Sequence, residues 1–390
     1  MVEFSPYAYE FHEDPYPIYR RLREEAPVYH NEKAEFWALS RHRDVLAAFK
    51  DVKRFSNSHG VSIDPAARGA AARAGTSFLA MDPPEHTGFR SLVARSFTPR
   101  RVAALEPSIR ELAARHLDAL VGRDGFDAIG DFAGKLPMDV ISEMMGVDEA
   151  DRAELRSWAD AMVHRDEGVH DVPPEGVEAF GKIRRYFQDL LAKLRKRPGD
   201  DLLSSLLGLE AKGPSISEDD LLSFCNLMIT AGNETTTKLL GNALYWLWRN
   251  PEQKARVLRD PALIPQWVEE TLRYDNSTQT LMRLTLADVE FAETTIPAGE
   301  HVLLLVGSAN RDPEVFEQPD QFDIARDTRD MLSFGRGTHF CMGAALARLE
   351  ARVAFEEWCK RFSDYEIQTD GIARVHSVNV RGFSTLPIKV

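Results

Sequence analysis

One cysteine in this chain sits in a frame built for chemistry: Phe334-Gly335-Arg336-Gly337-Thr338-His339-Phe340-Cys341-Met342-Gly343. Glycines let a backbone pass close to a flat ligand and take conformations other residues avoid. The next residues, Ala344, Ala345, Leu346 and Ala347, open a helix. That places the Cys341 sulfur in the positive potential of a helix N-terminus, which favours the thiolate, the form that binds metal. Cys225 and Cys359 lack any such frame and read as small buried apolar residues.

Three further patterns carry reactive groups. Ala231-Gly232-Asn233-Glu234-Thr235-Thr236-Thr237 puts polar, weakly helix-forming residues in the middle of an apolar helix, which is costly unless they serve something. Gly232 removes side-chain bulk where a ligand could press, and Glu234 with Thr235 offers an acid and a hydroxyl for proton delivery. A helix facing a water-filled crevice is the plainer reading. Glu270-Thr271-Leu272-Arg273 sets a carboxylate and a guanidinium one turn apart, which in isolation is an ordinary surface pair. His86-Thr87-Gly88-Phe89-Arg90 points two donors the same way, toward an anion or simply toward solvent.

These groups need elements to hold them. Ser217 with Asp220 makes a capping box, and the helical pattern it opens runs to Arg249, just before Pro251. That is about 30 residues, or roughly 45 Å. Apolar spacing of three and four predicts helices over 102–120, 136–145, 149–163 and 175–195. A short helix is expected at 265–274 and a final helix over 342–362, with strands near 36–40, 287–291 and 301–305. Segments 60–76 and 164–174 read as loops. The expected architecture is mainly α with small β-sheets, in a single domain over residues 1–390.

Composition narrows the class. The 48 basic and 61 acidic residues give a net charge of −13, which argues against general nucleic-acid binding. Three cysteines make no disulfide framework, and the N-terminus lacks a signal-peptide pattern. No apolar run reaches the roughly 18 residues of a membrane span. A cytoplasmic protein with no membrane or nucleic-acid partner is expected.

In this order and at these separations, the four motifs resemble the cytochrome P-450 family, specifically its soluble bacterial members. The resemblance covers essentially the whole chain, and the cysteine decapeptide is its most specific part. It implies haem b between the long central helix and the cysteine-loop helix, with Cys341 as the iron's thiolate ligand. Phe334, Gly335 and Gly343 would frame that ligand. His86, Arg90, Arg283 and His339 are placed like the residues that hold the propionates. Ala231, Gly232, Glu234 and Thr235 match the site where dioxygen binds and protons arrive, with Glu234 and Thr235 catalytic. Glu270, Arg273 and Arg326 look like the structural triad beneath the haem. Leu227, Ala231, Gln279, Thr280 and Leu281 would touch substrate. The chain departs from the family pattern at Asn276-Ser277-Thr278, where many relatives carry proline, so Gln279 and Thr280 are expected to make a polar pocket wall. Asn233 fills a variable position, and Asp330-Met331 stands where relatives often carry His-Leu.

The activity implied is a monooxygenase, hydroxylating or epoxidising a mainly apolar small molecule such as a polyketide, terpenoid or steroid. Its electrons would come from a ferredoxin and an NAD(P)H-dependent ferredoxin reductase, docking where Arg100, Arg101, Arg348 and Arg352 form a basic patch. A peroxide-using or isomerising haem-thiolate enzyme is the rival within enzymes, and a non-catalytic haem sensor or carrier the rival outside them.

Overall fold

A computed structural model of the chain describes residues 2–210 and 216–390. Helices hold 56% of the residues, far above the third or so usual for globular proteins, so helix-on-helix packing dominates. The long helix spans Glu218–Arg249, 32 residues. The Ser217 hydroxyl caps it by accepting the Asp220 N–H at 3.1 Å, and Glu218, Asp219 and Asp220 complement its dipole. Leu221, Phe224, Ile229, Leu240 and Leu244 are all buried, because helices Lys135–Met145, Arg152–Val163 and Ile264–Tyr274 pack around it.

The helix after the cysteine loop, Ala344–Arg361, lies against Glu106–Asp118 and Ile264–Tyr274. Trp267 stacks on Phe355 there, with ring centroids 4.0 Å apart and both side chains buried. Truncating either ring to Ala would cost roughly 3–5 kcal/mol.

The main sheet has five strands in the order Val28–Asn31, Phe36–Leu39, His301–Leu305, Thr280–Thr285 and Phe55–Ser56. Neighbours are antiparallel, except that Phe36–Leu39 runs parallel to His301–Leu305. Side-chain alternation divides His301–Leu305 between two cores. Leu303 and Leu305 join Phe36, Ala38 and Met282, while Val302 and Leu304 join Leu39 and Phe49. Both faces are covered, which is why this strand reads as an unbroken apolar run. Arg283, next to Met282, sits on the Phe49 side, its guanidinium 5.4 Å from that ring.

Several boundaries differ from the sequence reading. Segment 102–120 is two helices, Pro99–Ala104 and Glu106–Asp118, because Pro107 has no N–H to continue the first. Segment 60–76 carries short helical turns and ends in the helix Ala72–Thr76. Helices Leu202–Glu210 and Pro251–Arg259 and the strand Thr280–Thr285 were not anticipated. The C-terminal long helix starts at Ala344 rather than at residue 342, after a turn at the cysteine. No helix among the described residues is long and apolar enough to cross a membrane.

Candidate functional site

The cysteine loop is held open by backbone geometry. The Cys341 N–H donates to the Phe334 carbonyl at 2.9 Å, closing the loop. Gly335 and Gly337 take φ of +66° and +72°, a left-handed conformation that favours glycine. At Gly337 a Cβ would also meet the Phe49 carbonyl oxygen at 2.7 Å, and at Gly335 the Phe49 ring at 3.7 Å. Phe49 is thus a post against which the loop is shaped, and nothing in local sequence marked it.

Cys341 is the exposed cysteine, whereas Cys225 is buried and Cys359 half-buried. Loop walls still screen its thiol from bulk water, and this desolvation pushes its pKa up. The amides of Gly343 and Ala344 and the charges of Arg90 and Arg348 oppose the rise without cancelling it. A stable thiolate here therefore calls for a bound electrophile.

Beside the cysteine loop is a cluster of basic groups with no acid to answer them. His86 is buried on the helix Glu85–Val93, and its ring centroid lies 4.0 Å from that of His339. Among the described residues none of the four ring nitrogens of the two histidines has a well-aligned hydrogen-bond partner, although the Met81 backbone lies near His339. Burial depresses both imidazoles, His339 far below its usual range. Arg283 is buried, donates only to the Met282 carbonyl at 2.7 Å, and is pushed down to about 10 by burial. The acid whose charge acts on it, Asp82, is already engaged by the Ser56 hydroxyl and the Asn57 N–H. Arg90 reaches only the Phe340 carbonyl, at 2.5 Å. Buried polar groups are ordinarily paired, so an anionic ligand is what these four lack. No group of three or more His, Cys, Asp or Glu among the described residues could hold a bare metal ion. One thiol beside four cationic or imidazole donors fits a metal that brings its own equatorial ring and carboxylates, as haem b does.

The long helix presents its polar centre unevenly. Ala231 is exposed, Gly232 and Thr235 are half-buried, and Asn233, Glu234, Thr236 and Thr237 are buried. The Thr235 hydroxyl donates to the Ala231 carbonyl at 2.8 Å, and the Thr235 carbonyl accepts from the Ser277 hydroxyl at 2.7 Å. Gly232 does not make room for a ligand as expected. Its missing side chain points at Ile141, 3.4 Å from where a Cβ would stand, so the close approach is by a neighbouring helix. Glu234 is not a free acid beside Thr235. It pairs with Lys238 at 3.2 Å, the two side chains being 1% and 3% exposed, and accepts from the Asn233 amide at 3.1 Å. Burial would raise the Glu234 carboxyl, but Lys238 prevails and holds it low. The i,i+4 spacing of Glu234 and Lys238 was visible in the sequence, and its significance was missed.

Glu270, Arg273 and Arg326 converge. Arg273 binds Glu270 bidentately at 2.7 and 2.8 Å with both side chains fully buried, so this is no surface pair. Arg326 adds a contact to Glu270 at 3.3 Å, and both arginines are further tied to backbone carbonyls, Arg273 to those of Asn310 and Pro319.

The expected polar pocket wall is corrected. The Gln279 carbonyl oxygen accepts from the Tyr19 hydroxyl at 3.1 Å and its amide donates to the Asn276 carbonyl at 2.8 Å. Thr280 is buried and donates to the Val378 carbonyl at 2.7 Å. Both are spent within the protein, Thr280 as the first residue of the unanticipated strand Thr280–Thr285 and Gln279 just before it. Leu281 is half-buried and Leu227 belongs to the apolar core. The basic patch also shrinks. Arg348 is neutralised by Glu269, and Arg352 by Glu106 and Glu356, leaving Arg100 and Arg101 exposed.

Comparison with known proteins agrees with this geometry. The family model Cytochrome P450 matches residues 177–373. A Mycobacterium tuberculosis protein bearing the name cytochrome P450 123 is 53% identical over 387 residues, covering 99% of this chain and 96% of that one. A vitamin D(3) 25-hydroxylase of Pseudonocardia autotrophica is 37% identical, covering 97% and 94%. Among solved structures, CYP109E1 from Bacillus megaterium in complex with testosterone superposes with a TM-score of 0.91 at 32% identity, covering 98% and 99%.

The chain belongs to the cytochrome P450 family, a class of haem-thiolate monooxygenases. Haem b is accordingly its cofactor and dioxygen its co-substrate.

Proposed function

We propose that the chain hydroxylates or epoxidises a steroid-sized, mainly apolar molecule, with electrons from a ferredoxin and its NAD(P)H-dependent reductase. The observation that carries this reading is the exposed residue Cys341 beside four basic groups that no acid answers, His86 and Arg283 buried and Arg90 and His339 half-buried. In it, Cys341 would ligate the iron, and His86, Arg90, Arg283 and His339 would bind the propionates. Phe334, Gly335 and Gly343 shape the loop beneath. Bound haem supplies the activation of dioxygen and its transfer to carbon.

The protein's own residues do the rest. Ala231, exposed on the long helix, adds little bulk beside Thr235. The Thr235 hydroxyl, bonded to the Ala231 carbonyl, would hold and pass on a proton, and Glu234 would resupply it. Leu227 and Leu281 supply apolar surface that excludes water and favours an apolar substrate. Arg100 and Arg101 offer an acidic ferredoxin a docking charge. The Glu234–Thr235 pair favours this reading over a peroxide-using or isomerising enzyme, which needs no proton delivery to dioxygen. The vitamin D(3) hydroxylase and the testosterone-bound relative support a steroid-like substrate.

The test is the carbon monoxide difference spectrum of dithionite-reduced, haem-loaded protein, followed by titration with testosterone and vitamin D3. A strongly red-shifted Soret band, abolished by Cys341→Ser, and a spin-state shift with either steroid are expected. A Soret band at the histidine-ligated position in the parent protein would sink the thiolate assignment.

A further inference from the structure

The polar centre of the long helix is held from outside at one point. Ser277 is buried, and its hydroxyl donates to the Thr235 carbonyl at 2.7 Å. Among the described residues, no other side chain from another element bonds the backbone of residues 231–237.

Ser277 is itself firmly placed. Its carbonyl accepts the Arg381 N–H at 2.8 Å, and two residues on, the Gln279 N–H donates to the Asn379 carbonyl at 2.7 Å. Thr278 between them pairs with Val380 in an isolated antiparallel bridge. The same segment meets the long helix twice more, through Asp275. The Asn242 amide donates to the Asp275 carbonyl and the Trp246 indole to its carboxylate, both at 2.8 Å. Thr235, Asn242 and Trp246 are seven and four residues apart, so the three bonds fall along one stripe of the helix. Only the Ser277 bond reaches the turn that carries Thr235.

A carbonyl oxygen has two lone pairs, so it can take an outside donor without giving up its place in the helix. The Thr235 hydroxyl bonds back one turn to the Ala231 carbonyl at 2.8 Å, a pattern that bends helices slightly. Thr235 is β-branched and has few rotamers in a helix, so the direction of its hydroxyl follows the backbone that carries it. A donor that pins the Thr235 peptide therefore also pins the hydroxyl. Asn276-Ser277-Thr278 is the segment in which many relatives carry proline, and proline has no hydroxyl to give. A serine serving only its own loop would bond locally, whereas this one reaches 42 residues back along the chain.

We infer that Ser277 is a positioning residue for Thr235, its hydroxyl holding the Thr235 peptide so that the threonine hydroxyl keeps one orientation. The inference rests on the reading of Thr235 as part of the proton path. Ser277 keeps its own proton throughout, so it adds no chemical step.

Two measurements test this on haem-loaded protein. With threonine labelled at its carbonyl carbon and amide nitrogen, an amide–carbonyl correlation spectrum of the reduced, carbon monoxide-bound form reports only consecutive threonines. These are 235–236, 236–237 and 294–295, told apart by Thr237→Ser and Thr294→Ser. Ser277→Ala should move the Thr235 carbonyl resonance upfield and leave that of Thr294 in place, and Ser277→Thr should return it. In turnover with testosterone as probe, Ser277→Ala should lower oxygenated product per NAD(P)H roughly two- to tenfold, the reach of one net hydrogen bond. Hydrogen peroxide should make up the difference, the Kd for testosterone and the carbon monoxide spectrum should hold, and Ser277→Thr should restore coupling. An unmoved Thr235 resonance in Ser277→Ala, or unchanged coupling there while Thr235→Ala uncouples, overturns the inference. If Thr235→Ala stays coupled, the proton-path reading fails instead, and if the parent oxygenates neither testosterone nor vitamin D3, the substrate reading fails. In either case the carbonyl resonance alone decides whether Ser277 holds the Thr235 peptide.

Discussion

Two groups of buried charge lie close to the cysteine loop and are built on opposite principles. Around Glu270, every charge is answered. Arg273 takes both carboxylate oxygens, Arg326 adds a third contact, and backbone carbonyls absorb the remaining donors. Around Arg283 no acid answers, since among the described residues the His86 and His339 ring nitrogens have no aligned hydrogen-bond partner and Arg283 has one carbonyl. The first is a finished piece of structure. The second is half of an interface whose other half is a ligand, and the contrast separates scaffold from site without reference to any relative.

The comparison can be broken at several points. Glu270→Ala should have the largest effect, because it strands the Arg273 guanidinium in the core. A loss of roughly 3–5 kcal/mol is expected, read from the denaturant midpoint, and a loss below 1 kcal/mol would show that Glu270 is not essential scaffold. A second answered pair, Asp275 with Arg381 at 2.7 Å, gives a pH signature. Burial alone would raise Asp275, but Arg381 holds it down at about 2. Its contribution is therefore present above the unfolded carboxyl range, near 4, and is lost as pH falls toward 2, up to roughly 2 kcal/mol. Asp275→Asn should flatten that acid limb in chemical denaturation.

Arg283→Leu sharpens the contrast because its sign reverses. Removing an unanswered cation should stabilise the haem-free chain by roughly 1 kcal/mol while weakening haem retention about 10–100-fold, measured by haem transfer to apomyoglobin. A variant that lost stability and kept haem would place Arg283 with the scaffold. The smallest effect on stability belongs to Thr235→Ala, within about 0.5 kcal/mol, because its hydroxyl only bonds back to its own helix. Its effect should be chemical, with NAD(P)H still consumed and hydrogen peroxide replacing oxygenated product. Unchanged product per NAD(P)H would remove Thr235 from the proton path.

What the sequence disclosed follows from how far each partner lies along the chain. The cysteine frame, the Glu270–Arg273 turn and the long capped helix are local patterns, written in spacing and glycine placement. Gln279 and Thr280 misled because a polar side chain beside an expected pocket looks available. Their actual partners, Tyr19 and the Val378 carbonyl, are supplied from distant segments by a strand the apolar pattern did not announce. Arg348 and Arg352 looked like a docking patch until their glutamates folded beside them.

The contact between Gly337 and Phe49 sets an order of assembly. The loop that seats the cofactor takes its shape from the helix His42–Lys50, with most of the chain between the two. During synthesis Phe49 emerges early and the loop late, so the seat cannot form until both ends have met, a long-range closure of the kind that slows folding. A chain shortened at its N-terminus would thus keep its cysteine and lose the mould around it.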